Sequence, residues 1–269
     1  MAKTPAFMRC NLIIADLDGV VYRGESPIAG AADAVEMIRR SGGKIAFLTN
    51  NASSTAAEYS DKLSNMGIEV SPGHILTSGI VAATYVHRTM GKSKAYLVGS
   101  EALAREMRRE GIEVVSSDEA EVVVASFDRE FTYHKLHEAM RAVRRGCPLI
   151  ATNKDPTVPS ESGFVPGAGS IVSAIEVASG VTALTVGKPS THTKDVVEAK
   201  WGAAGRVCIV GDRLDTDIAA GNLYGWRSIL VLSGSTGPSD LTGDLPEQHR
   251  PSAVYDNLYE FSMKEVIAR

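Results

Sequence analysis

The chain has 269 residues, 44% hydrophobic and 22% charged, with a formal net charge of −4. This is a globular composition, long enough for one large domain or a usual domain with a second built onto it, and its core needs no disulfide or structural metal. With no basic excess to neutralise a phosphate strand, no window near ~18 apolar residues and no apolar signal region, the sequence excludes nucleic-acid and membrane partners and predicts a cytoplasmic protein.

In chain order, short apolar runs alternate with amphipathic stretches. Strands are predicted at 11–15, 44–48, 95–98, 122–125, 149–151, 207–210 and 228–232. Helices are predicted at 31–40, 55–66, 101–109, 133–145, 171–178 and 191–200. Such alternation implies right-handed crossovers and a mostly parallel sheet covered on both faces, an α/β fold. Arg39-Arg40, Arg108-Arg109 and Arg144-Arg145 close helices, where cations suit the dipole. The stretch 153–169 is rich in Pro, Gly and Ser and reads as a loop. Its Gly167-Ala168-Gly169 is a turn into a helix, because Val172 stands where a dinucleotide fingerprint needs a third glycine. Cys10, Cys147 and Cys208 are odd in number and far apart, and are expected to be small core residues of a reducing compartment. His134 and His137 have helical metal-pair spacing but no third ligand follows, so they are expected at the surface; Met37, Met66, Met107 and Met140 fit apolar helix faces.

The candidate chemistry sits where strands end. Asp16-Leu17-Asp18-Gly19-Val20 follows the run Leu12-Ile13-Ile14-Ala15. Ligands of an open parallel sheet bind beyond the carboxyl ends of its strands. Alternation puts Asp16 and Asp18 on one side of the chain, where the two carboxylates repel unless a cation or proton lies between them. Three further segments end strands in the same way. Leu48 leads into Thr49-Asn50-Asn51, a hydroxyl and two amides suited to phosphate oxygens. Val186 leads into Gly187-Lys188-Pro189-Ser190, one cation at a helix start. Val210 leads into the acidic loop Gly211-Asp212-Arg213-Leu214-Asp215-Thr216-Asp217.

In this order the four segments, with Ala151-Thr152-Asn153-Lys154-Asp155-Pro156 and Pro166-Gly167-Ala168-Gly169, resemble the haloacid dehalogenase-like superfamily of phosphohydrolases. Within it the chain is similar to subfamily IIA, the NagD-type and p-nitrophenyl phosphatase-like enzymes, over nearly its whole length. The resemblance implies a Rossmann-like core at 1–80 and 183–269, with a smaller α/β cap of the C2 type inserted at 81–182. It implies Asp16 as nucleophile and Asp18 as general acid and base, and Mg²⁺ held by Asp16, the carbonyl of Asp18 and Asp212, with Asp217 behind the metal. Thr49, Asn50, Asn51 and Lys188 would hold the phosphate, Arg213 and Thr216 would complete its pocket, and Lys154 would face the leaving group. The implied substrate is a small phosphate ester, and caps of this type often pair as homodimers. An acid at Asp18 favours fast hydrolysis over a long-lived aspartyl-phosphate. The alternatives are a phosphotransferase or phosphomutase on the same fold, a catalytically silent phosphate-binding protein, or a signalling receiver module, which is a single domain without a cap.

Overall fold

The computed structural model describes residues 10–160, 163–202 and 206–267. It divides into two compact units: Met1–Leu48, Leu63–Val70 and Val197–Arg269 make the first, and Thr49–Lys62 with Ser71–Val196 the second.

The first unit carries five parallel strands in the order Ala253–Tyr255, Arg227–Val231, Val207–Gly211, Leu12–Ala15 and Lys44–Thr49. Leu12–Ala15 and Val207–Gly211 are buried at every position, as continuous apolar runs must be when both sheet faces are covered. Ala15 pairs with Val210, so the residues following these two strands leave the sheet at the same end. The second unit carries its own parallel strands in the order Leu184–Thr185, Leu149–Ala151, Val122–Ala125, Lys94–Val98 and Glu113–Val114. Its core packs Val98, Val123 and Leu149 against Ala139, Val172 and Ile175 of the flanking helices. The chain is thus an α/β protein with a Rossmann-like parallel-sheet core and a second α/β domain lying between the core's strands in sequence.

Helix boundaries follow local chemistry. Thr77, Ser100 and Thr132 each accept a backbone N–H of the first turn that follows, and Arg39-Arg40, Arg108-Arg109 and Arg144 occupy last turns. At Ala56–Asn65 the helix opens on a capping box: Glu58 N–H donates to Thr55 Oγ1, and Thr55 N–H donates to Glu58 Oε2 at 2.7 Å. Arginine hydrogen bonds near the carboxyl end hold Glu265 below the usual carboxylate range, with Arg227 donating to both its oxygens at 2.9 and 2.7 Å. A carboxylate depressed in the folded state contributes stability above its unfolded pKa and loses it as pH falls through the folded value. Glu265→Gln is therefore expected to cost about 1.5–3 kcal/mol at neutral pH and much less in acid. Equal losses at neutral and acid pH, read by thermal melting, would count against the ion pair as the cause.

Three expectations change. The stretch 153–169 is not a loop throughout: Thr157–Ser160 pairs antiparallel with Gly163–Pro166, a ribbon that alternation cannot reveal in so short and Pro/Gly-rich a segment. A helix over Ser78–Met90 was not predicted; its first turns are almost wholly apolar, with Val81, Ala82, Ala83 and Val86 buried, and its exposed polar side chains come only near its end, at His87, Arg88 and Thr89. The expected boundary at residue 80 falls inside it. Cys10 and Cys208, 198 residues apart, form a disulfide with Cα atoms 5.6 Å apart, whereas Cys147 is free and buried. Their proximity follows from strand pairing, which sets Cys208 beside Ile13 and joins Asn11 N–H to Arg206 O at 2.7 Å. The cysteines thus no longer argue for a reducing compartment. No helix among the described residues is long and apolar enough to cross a membrane. His134 and His137 are exposed, as expected.

Candidate active site

Asp16 is the first residue beyond its strand, and its N–H stays in the ladder, donating to Val210 O at 2.8 Å. The chain then turns tightly: Val21 N–H donates to Leu17 O and Gly19 N–H to Tyr22 O, both at 2.8 Å. Gly19 has φ +78°, a left-handed conformation that glycine adopts without strain. Leu17 is fully buried, Asp16 is 8% exposed and Asp18 is half-buried. On the neighbouring strand Asp212 follows Gly211, and the helical turn Leu214–Ile218 brings Asp217 back over it. Arg213 N–H donates to Asp217 Oδ2 at 3.2 Å. A side chain at Gly211 would overlap the Asp217 carboxylate.

Carboxylate oxygens of Asp16, Asp212 and Asp217 all lie within 4.8 Å of one another, and all three residues are buried. Three anionic groups so close in a low dielectric repel strongly unless a cation or protons intervene. The cluster offers oxygen ligands and neither thiolate nor imidazole, the donor set of Mg²⁺ or Ca²⁺ rather than Zn²⁺. These residues fit a hard divalent cation.

A second loop, absent from the sequence reading, holds Asp212. Ser235 N–H donates to its Oδ2 at 2.5 Å and Thr236 N–H to its backbone oxygen at 3.1 Å. Ser233 Oγ–H donates to Gly19 O at 2.7 Å, and Arg23 Nε–H to Ser233 O at 2.7 Å, which ties this loop to the Asp16 turn. The available signal was positional, since Ser233-Gly234-Ser235-Thr236 also follows a parallel strand. A Cβ on Gly234 would overlap the Asp212 carboxylate. Gly234→Ala is therefore expected to weaken the binding of a hard divalent cation at this cluster by about 10–100-fold, the usual effect of disturbing a ligand's support. Equal affinity of parent and variant, read by titrating Mg²⁺ against thermal melting, would show that Asp212 does not need this support.

The remaining predicted residues fall into distinct settings. In the second unit, Thr49 Oγ1 accepts from Asn51 N–H at 3.1 Å, and Asn51 Oδ1 accepts from Ser53 N–H at 2.9 Å. Lys188 is only 3% exposed, unusual for a lysine unless it has a fixed task or partner. Its N–H donates to Asn50 Oδ1 at 2.8 Å. Lys154 Nζ instead donates to Glu176 Oε1 at 2.6 Å, and Ala183 N–H also donates to that oxygen at 2.7 Å. In the first unit the Arg213 guanidinium lies on Asp215, at 2.9 and 3.2 Å, while Thr216 Oγ1 is 3.5 Å from Asp217 Oδ2.

Comparison with known proteins places the chain among phosphatases. A family model described as haloacid dehalogenase-like hydrolase matches residues 13–113, and one described as HAD-hydrolase-like matches 185–261. The sugar phosphatase AraL of Bacillus subtilis (strain 168) is 38% identical over 226 residues, 83% of each chain. The crystal structure of a 4-nitrophenylphosphatase from Thermotoga maritima superposes with a TM-score of 0.89 at 36% identity, covering 94% of this chain and 97% of that one. A glycerol phosphate phosphatase from Mycobacterium tuberculosis, solved in complex with calcium, superposes with a TM-score of 0.87 at 32% identity, covering 96% and 77% respectively.

Proposed function

Because the chain belongs to the haloacid dehalogenase-like hydrolases, among the NagD-type and p-nitrophenyl phosphatase-like enzymes, and is a phosphomonoester hydrolase, we propose that it cleaves small phosphate esters through an aspartyl-phosphate on Asp16. The observation that carries this reading is the buried carboxylate cluster at the carboxyl ends of two adjacent parallel strands.

An Asp16 oxygen attacks phosphorus and the bond from phosphorus to the ester oxygen breaks. The departing oxygen takes the proton of the Asp18 carboxyl group. Asp18, now a carboxylate, takes a proton from water as that water attacks phosphorus, and the bond to Asp16 breaks to release inorganic phosphate. The half-buried setting of Asp18 suits contact with water, and the deeper burial of Asp16 suits a nucleophile kept from solvent. Asp16, Asp212 and the carbonyl of Asp18 would hold Mg²⁺, with Asp217 beside them. Bound there, the ion cancels charge between Asp16 and an anionic phosphate and orients both. The Thr49 hydroxyl and Lys188 hold phosphate oxygens, where transition-state charge is spread. The second sheet domain, expected at 81–182, is the cap domain of this proposal.

The substrates are small phosphomonoesters of the sugar phosphate and glycerol phosphate kind, after the names of the relatives. The test is phosphate release from sugar phosphates, glycerol phosphate and p-nitrophenyl phosphate, with Mg²⁺ and after chelation. Hydrolysis that persists unchanged after chelation would overturn the metal assignment. No release from any ester would overturn the substrate class.

A further inference from the structure

Asn50 stands next to Thr49 in a segment that suggests phosphate contact, yet its side chain is spent elsewhere. Its Oδ1 accepts the Lys188 N–H at 2.8 Å, and its Nδ2 donates to the Lys188 carbonyl at 3.1 Å. The same Nδ2 lies 3.3 Å from both Asp155 carboxylate oxygens. A primary amide has two N–H donors, and both are engaged. A phosphate oxygen accepts hydrogen bonds, so the one acceptor site left on Oδ1 offers it nothing. Asn50 is separated from Lys188 by 138 residues and from Asp155 by 105, so these contacts tie three distant segments together.

The surroundings are built around this contact. Asn153 Nδ2 donates to Asn50 O at 2.7 Å, and Asp155 N–H donates to Asn153 Oδ1 at 3.0 Å, so one loop holds the Asn50 backbone and also aims the carboxylate. Ser78 Oγ donates to Asn50 O as well. Gly187 N–H donates to Thr152 O at 2.9 Å, and a Cβ at Gly187 would overlap that oxygen and stand 2.7 Å from Asn50 Oδ1. Asn50, Asn153 and Lys188 are each less than a tenth exposed.

We infer that Asn50 and Asp155 are positioning residues: the Asn50 amide grips both polar backbone groups of Lys188, and Asp155 fixes the amide's orientation. Asn50 thus acts through Lys188 and not by a side-chain contact to substrate. This rests on Lys188 serving the phosphate, as in the proposed function. Asp155 acts one step further away, by accepting from an amide that could otherwise flip and present its oxygen to the Lys188 carbonyl.

A double-mutant cycle separates positioning from direct contact. Asn50→Ala, Lys188→Ala and the double variant are compared with the parent for kcat/KM on p-nitrophenyl phosphate and for inhibition by inorganic phosphate, both with Mg²⁺. Asn50→Ala alone is expected to lower kcat/KM about 10–100-fold, the scale of a displaced catalytic group. With Lys188→Ala already present it should cost less than about threefold, because the group it positions is gone. The same factor in both backgrounds would mean that Asn50 acts independently, which overturns the inference. A Lys188→Ala variant that matches the parent would overturn it too. Thermal melting of each variant identifies unfolding, and the Asp155 pair supplies a second readout: Asp155→Asn keeps an acceptor and should retain activity within about threefold, whereas Asp155→Ala should lose about tenfold or more. Equal effects of the two Asp155 substitutions would remove Asp155 from the scheme. Asp16→Asn tests the covalent reading separately, and neither result depends on the other.

Discussion

Asp16→Asn is expected to reduce turnover to background while the fold persists. The substitution keeps the shape of the side chain and removes the charge that attacks phosphorus. Uncatalysed phosphate-monoester hydrolysis is so slow, with enzymatic accelerations up to ~10²¹, that no neighbouring group could make up the loss. Retention of more than about a tenth of the parent activity would sink the covalent mechanism. The structure adds a second readout, because Asp16 is one of three buried carboxylates within 4.8 Å of one another. Removing one charge relieves repulsion in the metal-free protein, so its melting temperature should stay level or rise after chelation. The same variant should lose part of the stabilisation that Mg²⁺ gives the parent, since a ligand that binds the folded state less tightly shifts melting less. A fall in the melting temperature of the chelated variant would show instead that Asp16 has a structural role.

Asp18→Asn is expected to cost roughly 10²–10⁴ in rate, the usual contribution of general acid–base catalysis. The loss should depend on the leaving group. An alkoxide leaves poorly without a proton, whereas p-nitrophenolate hardly needs one, so glycerol phosphate should suffer more than p-nitrophenyl phosphate. An equal loss on both esters would count against Asp18 as the leaving-group acid. If hydrolysis of the intermediate becomes limiting on p-nitrophenyl phosphate, that ester should show a burst of p-nitrophenol before the slow phase, because the first step proceeds while water attack has lost its base.

The catalytic candidates were legible because they depend on short-range pattern. A parallel strand buried on both faces is a continuous apolar run, and its carboxyl end is where the polarity changes abruptly. Leu12–Ala15 into Asp16 and Val207–Gly211 into Asp212 are both of this kind. The spacing from Asp212 to Asp217 was visible as well, and the helical turn over Leu214–Ile218 brings the Asp217 carboxylate within 4.8 Å of those of Asp16 and Asp212. Less legible was the division of labour among side chains of similar type. Lys154 and Lys188 both follow strand ends, yet Lys154 is paired with Glu176 at 2.6 Å while Lys188 is buried with its backbone gripped by Asn50. Arg213 likewise satisfies Asp215, two residues along.

By itself the sequence determined the α/β class, the strand ends that bear carboxylates and the kinship to phosphohydrolases. Each depends on residue type and on spacings of a few positions, which hydrophobic burial and strand alternation translate directly into structure. Only the tertiary structure decided which partners those residues take. Asn50 became a clamp through contacts 105 and 138 residues away, and Asp212 gained its support from Ser235. Cys10 met Cys208 across 198 residues because two parallel strands lie side by side. A buried polar group must find a partner, and among many donors and acceptors of the same kind along the chain only the packed arrangement selects which one is near enough to serve.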